Sequence, residues 1–462
     1  MPKKYSMTRD EFREKELDIL RAAVDAAEKS KAREVVNAPE VKRIIAIVEA
    51  FLKKKKLVCY GGTAINDILP VEDQFYDKDL EIPDYDFFSP KALEDAKELA
   101  DIYAKKGYDE VEAKAGVHHG TFKVFVNFIP VADVTQIDPE LFKRIQKHAI
   151  KKDGILYSPP NLLRMNMYLE MSRPAGDISR WEKVLKRLVL LNKNYPLRGA
   201  HCDPSTFRRS FEGTKKYSAK EIYRLVRDEF IKQGVVFFGG YANHLYGKYM
   251  PRQAKKIDAK LPDFDVLSLE PAKSAATVEK ALTSAGIEDV SVHERSGIHE
   301  LLADHYEVRV GKDTVAFIYL PLACHSYNQI RVEGKEVKVA TIDTMLNLYL
   351  SFLYADKDYY DTDRILCMAE YLFRVQATNR LEQKSILKRF STTCYGNQIT
   401  LEDMRAEKTR KHKELTRGTR EHDEHFLRYA PKKKKAAATK TSKRASKRAS
   451  KKKSGTRKTK SS

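Results

Sequence analysis

The chain has 462 residues, 42% of them hydrophobic and 10% aromatic, which is enough for two or three domains with real cores. No run of about 18 apolar residues occurs, so no membrane-spanning helix is expected. Met1-Pro2-Lys3-Lys4 leads into a charged helical pattern rather than the apolar core of a secretory signal. Of the net charge of +21, fifteen cations and no acid lie in residues 431–462, which leaves about +6 for the preceding 430 residues. That tail of Lys, Arg, Ser, Ala and Thr cannot bury enough apolar surface to order itself. It reads as a disordered polycationic arm, available to nucleic acid through counterion release or serving as a solubilising or localisation tail.

Cys59, Cys202, Cys324, Cys367 and Cys394 form no CxxC pair and no zinc-ligand spacing. They read as isolated thiols of a reducing compartment. Residues 1–56 predict N-terminal helices, with Ile19, Leu20, Ala23, Val24 and Ala27 at helical packing spacing, followed by Val41, Ile44, Ile45, Val48, Phe51 and Leu52. Leu57-Val58-Cys59-Tyr60 then predicts a strand stopped by Gly61-Gly62, with Thr63 to Leu69 opening a helix. Ile82 to Phe88 is strand-like, Pro90 to Lys106 helical, Thr121 to Val134 alternating and therefore β, and Asn161 to Pro196 two helices.

This order recurs. Val235 to Asn243 echoes Leu57 to Ile65, and Leu261 to Ser268 echoes Ile82 to Ser89. Val315 to Ile318 echoes Val126 to Ile129, and Asn347 to Leu350 echoes Asn166 to Leu169. Four matches in one order at nearly one offset predict two copies of one α/β (α+β) unit. The expected division is 57–200 and 201–385, each a mixed sheet with helices, then a charged helical extension at 386–430 and the basic tail at 431–462.

The chemistry gathers in the first copy. A strand ending in Gly61-Gly62 and feeding a helix lets backbone N–H groups approach a phosphate, although the same pair also makes a tight turn. Thr63 could add a hydroxyl donor. Asp84 and Asp86 alternate on a strand, so both carboxylates face one way with Cα atoms about 6.5–7 Å apart. Flanked by Ile82, Phe87 and Phe88, they would be costly to bury without a cation. Asp133, a lone acid at the end of an apolar strand, is the expected third ligand. The sequence aligns Leu322 with Asp133 in the second copy, which would leave that copy a degenerate support. Arg180, Lys183 and Arg187 fall on one helix face, suited either to triphosphate charge or to solvent. Arg164, Arg173 and Lys186 extend this basic set. Asn66 and Ser158 are further candidates for nucleotide contact. The acids Glu72, Asp73, Asp77 and Asp79 read as a solvated loop, and His118-His119 as structural.

Strand–Gly-Gly–helix, then DxD, then a third Asp resembles the DNA polymerase β-like nucleotidyltransferases. Tyr60 to Asn66, Pro83 to Ser89 and Ser172 to Val184 are most similar to the poly(A) polymerase catalytic subunits of large nucleocytoplasmic DNA viruses, mimivirus-type. That resemblance implies tandem nucleotidyltransferase-like domains, the second degenerate. It also implies two Mg²⁺ or Mn²⁺ ions held by Asp84, Asp86 and Asp133, ATP as donor and an RNA 3′ end as acceptor. Gly61, Gly62, Thr63, Asn66, Ser158, Arg180 and Lys183 would contact the nucleotide. A homodimer, and location in the virion and host cytoplasm, are implied by the resemblance alone. The 21 residues between Gly62 and Asp84 depart from the shorter spacing of many cellular members. Transfer to another acceptor (tRNA, protein or a nucleotide) and a non-catalytic RNA-binding scaffold are the competing readings.

Overall fold

A capping box starts the described chain: the Thr8 hydroxyl accepts from the Glu11 N–H, and the Glu11 carboxylate accepts from the Thr8 N–H. The computed structural model describes residues 8–202, 213–250, 261–298 and 301–431. The basic arm expected beyond Pro431 lies outside them. Helix α1 (Arg9–Asn37) runs into α2 (Pro39–Lys55), whose proline occupies the first helical turn, where its missing N–H costs nothing. Helix α2 buries Val41, Ile44, Val48, Phe51 and Leu52. Helix α1 buries no residue, and Ile19 and Leu20 are 72% and 58% exposed, so the packing role read from its spacing is not found.

The first unit contains β1 (Val58–Tyr60), α3 (Gly61–Ile68), β2 (Tyr85–Ser89), α4 (Ala92–Lys105), β3 (Val111–Ala115), β4 (Thr121–Val126) and β5 (Ile129–Gln136). It continues through α5 (Pro139–Lys147), β6 (Ile150–Lys152), β7 (Ile155–Tyr157), α6 (Pro160–Met171) and α7 (Trp181–Asn194). The second contains α8 (Ala219–Gln233), β8 (Val236–Phe238), α9 (Gly239–Tyr246), β9 (Phe264–Leu267), α10 (Pro271–Ser284), β10 (Val290–Arg295), β11 (His305–Val310) and β12 (Asp313–Tyr319). After it come β13 (His325–Val332), β14 (Lys335–Ala340), α11 (Ile342–Phe352), α12 (Thr362–Thr378), β15 (Cys394–Tyr395), α13 (Leu401–Glu414), α14 (Arg420–Phe426) and β16 (Arg428–Tyr429).

The first sheet has the order β16-β3-β4-β5-β2-β1-β7-β6 and the second β10-β11-β12-β9-β8-β14-β13-β15. Both are mixed: β1 pairs antiparallel to β2 and parallel to β7, and β8 pairs antiparallel to β9 and parallel to β14. Strands β3-β4-β5-β2-β1-β7-β6 therefore correspond, one by one, to β10-β11-β12-β9-β8-β14-β13, which is the predicted internal repeat seen as topology. The two units meet through α6 and α11, the helices that carry the matching Asn166 and Asn347 stretches. The Asn347 amide donates to the Met165 carbonyl at 3.2 Å, and the Ser326 N–H to the Ser172 carbonyl at 2.8 Å.

The register corrects one equivalence. Asp86 lies opposite Asp133 where β2 runs beside β5, and Asp265 lies opposite Phe317 where β9 runs beside β12. The residue matching Asp133 is thus Phe317, not Leu322. The error came from aligning Val126 to Ile129, a tight turn with Asn127 and Phe128 at positive φ, with Val315 to Ile318, which is mid-strand.

The charged extension is not simply helical. Strand β15 joins the second sheet and β16 pairs with β3 of the first, so the chain returns to its first unit. Lys97–Asp423 (2.7 Å), Arg420–Glu94 (2.8 Å) and the stacking of His119 on His425 hold that return, giving His119 a structural place. The cysteine reading is also overturned. Cys202 is bonded to Cys367 and Cys324 to Cys394, and Cys59 is the buried free thiol. Partners 165 and 70 residues apart leave no spacing signature. Arg164 leaves the surface set as well. Its guanidinium is fully buried and donates to Asn192 Oδ1 at 2.6 Å, to Asn161 and to the Tyr195 carbonyl.

Candidate active site

Strand β1 ends at Tyr60, and the chain turns into α3 through Gly61 at φ +75°, a conformation that favours glycine. A Cβ on Gly61 would collide with the Asp86 carboxylate. The second unit repeats this: Gly239 has φ +66°, and its Cβ would meet Asp265. The first glycine of each pair is therefore required by the close approach of a strand carboxylate, whether or not a phosphate binds there. A Cβ on Gly62 would meet the Tyr76 hydroxyl and the Arg187 guanidinium, so a side chain there would have to push these two tips aside.

The register then builds a row across four strands: Tyr60 opposite Asp86, Asp86 opposite Asp133, and Asp133 opposite Lys123. Directly opposed residues share a face of the sheet. Asp84 precedes β2 by one residue, and its carbonyl accepts from the Thr63 hydroxyl at 2.7 Å. Behind the row, Tyr85 is buried and donates from its hydroxyl to Glu49 of α2 at 2.8 Å. Tyr60 stacks on Phe88 with centroids 4.1 Å apart and shares a hydrogen bond with Thr135 at 2.8 Å.

The electrostatics are those of acids held too close together. Burial, then the negative charge of Asp133, raises Asp84 to about 6. Burial, then Asp84 and Asp133, raises Asp86 to about 7. The Lys123 ammonium lies against Asp133 Oδ2, while Asp133 Oδ1 is buried without a hydrogen-bond partner. Among the described residues no three acid, His or Cys side chains already converge at ligand spacing. With Lys123 on Asp133, one carboxylate is turned to an ammonium. An orphaned carboxylate oxygen beside two acids with raised proton affinity nevertheless fits a divalent cation with hard oxygen ligands.

Beside the row is a cavity of about 550 Å³, within the range of small-molecule sites. It is lined by Gly62, Thr63, Asn66, Asp84, Asp86 and Lys183 together with residues of α2 and of the 76–83 segment. Lys183 has its proton affinity lowered by Arg187, then by burial and by Arg180, as expected of cations gathered on one face. Arg180 is paired to Glu170 at 3.1 Å. Arg187 donates to the Tyr76 hydroxyl at 2.6 Å and lies over the Phe75 ring at 4.7 Å. Lys186 is on the exposed side with Glu182, and Arg173 is half-buried near His325 between the units.

The structure thus brings Asp84, Asp86, Gly62, Thr63, Asn66 and Lys183 to one cavity, with Asp133 in the adjoining row. Ser158 is not among them: it is fully buried, and its N–H donates to the Cys59 carbonyl. Asn66 contributes by holding the loop, its Oδ1 accepting from the Phe75 and Tyr76 N–H groups at 2.8 and 2.9 Å. That loop is not a solvated acidic run throughout. Asp73 accepts from Lys193 and Asn194, both at 2.7 Å, and Lys78 pairs with buried Asp67 at 3.3 Å. Sequence reading missed Lys123, Tyr76 and the pinned loop. For Lys123 a signal existed, an isolated cation on the alternating strand that runs beside Asp133.

Residues 46–177 match the family described as "Poly(A) polymerase catalytic subunit". Over 167 residues the chain is 35% identical to a protein described as a poly(A) polymerase catalytic subunit from African swine fever virus (strain Badajoz 1971 Vero-adapted), covering 35% of each chain. Over 193 residues it is 33% identical to one from Acanthamoeba polyphaga mimivirus, covering 40% of this chain and 31% of the relative. The chain spans about a third of the length of these curated relatives. The crystal structure of the Megavirus polyadenylate synthase shares the fold, with a TM-score of 0.74, 21% identity, and coverage of 93% of this chain and 87% of that one.

Proposed function

We propose that the chain, whose residues 46–177 match the family described as "Poly(A) polymerase catalytic subunit", adds AMP from ATP to RNA 3′ ends without a template. The observation that carries this reading is a nucleotide-sized cavity lined by Asp84, Asp86 and Lys183, with Asp133 opposite Asp86 on the next strand. Asp84, Asp86 and Asp133 would hold Mg²⁺ or Mn²⁺. When bound, such ions supply Lewis-acid activation of the 3′-hydroxyl and charge neutralisation at the leaving pyrophosphate. The new bond is 3′-O to Pα, and the bond broken is Pα to the bridging oxygen of the pyrophosphate.

This chain's own residues orient and screen. Lys183 and Arg180 present positive charge to a triphosphate in the cavity, where donors fixed in advance act on charge as it develops. Thr63 holds the Asp84 backbone, and Asn66 with Arg187 holds the 75–76 segment over the site. The domain division at about residue 200, supported by the paired sheets, and location in the virion and host cytoplasm, supported by the viral relatives, belong to the same proposal, as does a homodimer on the resemblance alone.

The second unit is proposed to be inert because Phe317 occupies the place of Asp133. Asp263→Ala is expected to leave the primer-extension rate of the folded protein within about threefold of the unaltered chain, since losses of transition-state contacts cost tenfold per 1.4 kcal/mol. A dead but folded Asp263→Ala variant would move the chemistry to the second unit.

A further inference from the structure

We propose that Lys123 is a positioning residue that occupies the Asp133 carboxylate in place of a divalent ion and yields it when the ion binds. The inference rests on the metal-dependent reading above and adds a device to it. Its first support is geometric. Lys123 is directly opposite Asp133 across β4 and β5, and its ammonium takes Oδ2, which leaves Oδ1 buried and without a partner. A single cation thus fixes the rotamer of the carboxylate while keeping one oxygen for another ligand.

The second support comes from the other copy. The position opposite Phe317 is Glu307, so the second unit has lost both members of the pair together. Where the acid became Phe, the cation became an acid, and Glu307 is now held by Arg295 at 2.5 Å, Arg309 at 2.7 Å and Thr314 at 2.5 Å. Asp265, in contrast, keeps the place of Asp86, and Gly239 that of Gly61. The cation thus stands in the unit that carries the acid and is missing from the unit that does not.

The third support is charge. Three acids share the row and its margin: Asp86 is directly opposite Asp133, and Asp84 stands two residues before Asp86, so their like charges repel one another. One ammonium offsets part of that repulsion before a metal ion arrives. The Lys123 side chain is 38% exposed, and its flexible stem lets the ammonium swing into water when a divalent ion takes the carboxylate.

The test is Mn²⁺ binding to the full chain without nucleotide, followed by electron paramagnetic resonance. Lys123→Met is expected to bind Mn²⁺ roughly tenfold more tightly, because a competing like charge beside the ligand is gone. At saturating Mn²⁺ the same variant should extend primer more slowly, because Asp133 has lost its orientation. Lys123→Arg should stay within about threefold of the unaltered chain in Mn²⁺ affinity, since its charge is kept. In an Asp133→Asn background, Lys123→Met should change nothing further. Unchanged or weaker Mn²⁺ binding in Lys123→Met, or a gain that persists without the Asp133 carboxylate, would overturn the inference. Asp133→Asn alone separates the two ideas: if it binds Mn²⁺ as the unaltered chain does, the metal-site reading fails and the lysine's role falls with it. Should Lys123→Met not fold, Lys123→Gln takes its place in the same titration, with the same outcomes.

Discussion

Asp86→Ala is expected to abolish AMP addition to an RNA primer, a loss of at least about 10³-fold, comparable to removing a main electrostatic group from an active site. RNA binding should survive, because the carboxylate repels phosphate rather than attracting it. The same variant should also be more stable than the parent at pH 8. The reasoning follows the proton. Burial and the neighbouring acids raise the Asp86 carboxyl in the folded chain to about 7, well above its unfolded value. A raised carboxyl favours the folded state at low pH, and that contribution is lost as pH climbs through 7, where the carboxylate must ionise against its neighbours. Removing it should raise stability at pH 8 by on the order of 1–3 kcal/mol, and by much less at pH 5, where the group is protonated. Urea unfolding of both proteins at the two pH values measures this. A destabilised variant at pH 8 that nonetheless retains activity would contradict both halves. Functional sites commonly carry this cost, which the metal ions are proposed to relieve.

Gly61→Ala is the second large effect. The backbone at Gly61 is in the left-handed region, and an added Cβ meets the Asp86 carboxylate. The conformational penalty and the clash together are expected to cost on the order of 2–4 kcal/mol and to displace Asp86, so activity falls with stability. Gly239→Ala faces the same geometry against Asp265 and should cost a similar amount of stability. Because the second unit is proposed to be inert, the folded fraction of Gly239→Ala should extend primer near the normal rate. Chemical denaturation alongside primer extension separates the pair. Equal loss of specific activity in both would show that the second unit shares in catalysis.

Legibility followed the range of the interactions. The strand, Gly-Gly and helix order and the repeat follow from patterning and lie where the sequence implies, whereas the strand expected from Ile82 begins at Tyr85 and leaves Asp84 one residue before it. The partner of Asp133 was misassigned because register depends on where a hairpin turns. The Asn127-Phe128 turn looks like strand in a hydrophobic pattern. Helix α1 shows helical spacing of apolar residues, yet nothing in periodicity says whether a neighbour exists to cover them. The two disulfides, the return of β16 to β3 and the pinning of Asp73 by Lys193 join residues 70 to 316 positions apart, and composition carries no trace of such pairings. Lys123 was overlooked for a related reason. A lysine on an alternating strand is ordinarily a solvent-facing residue, and only cross-strand register sets it against Asp133.

The most direct test of the central claim is to incubate the purified 462-residue chain with a short RNA primer, each of the four nucleoside triphosphates in turn, and Mg²⁺ or Mn²⁺. Long homopolymeric extension with ATP, lost on adding a chelator, is the predicted result. No extension with any nucleotide, or a single nucleotide attached to RNA or to a protein, would contradict it.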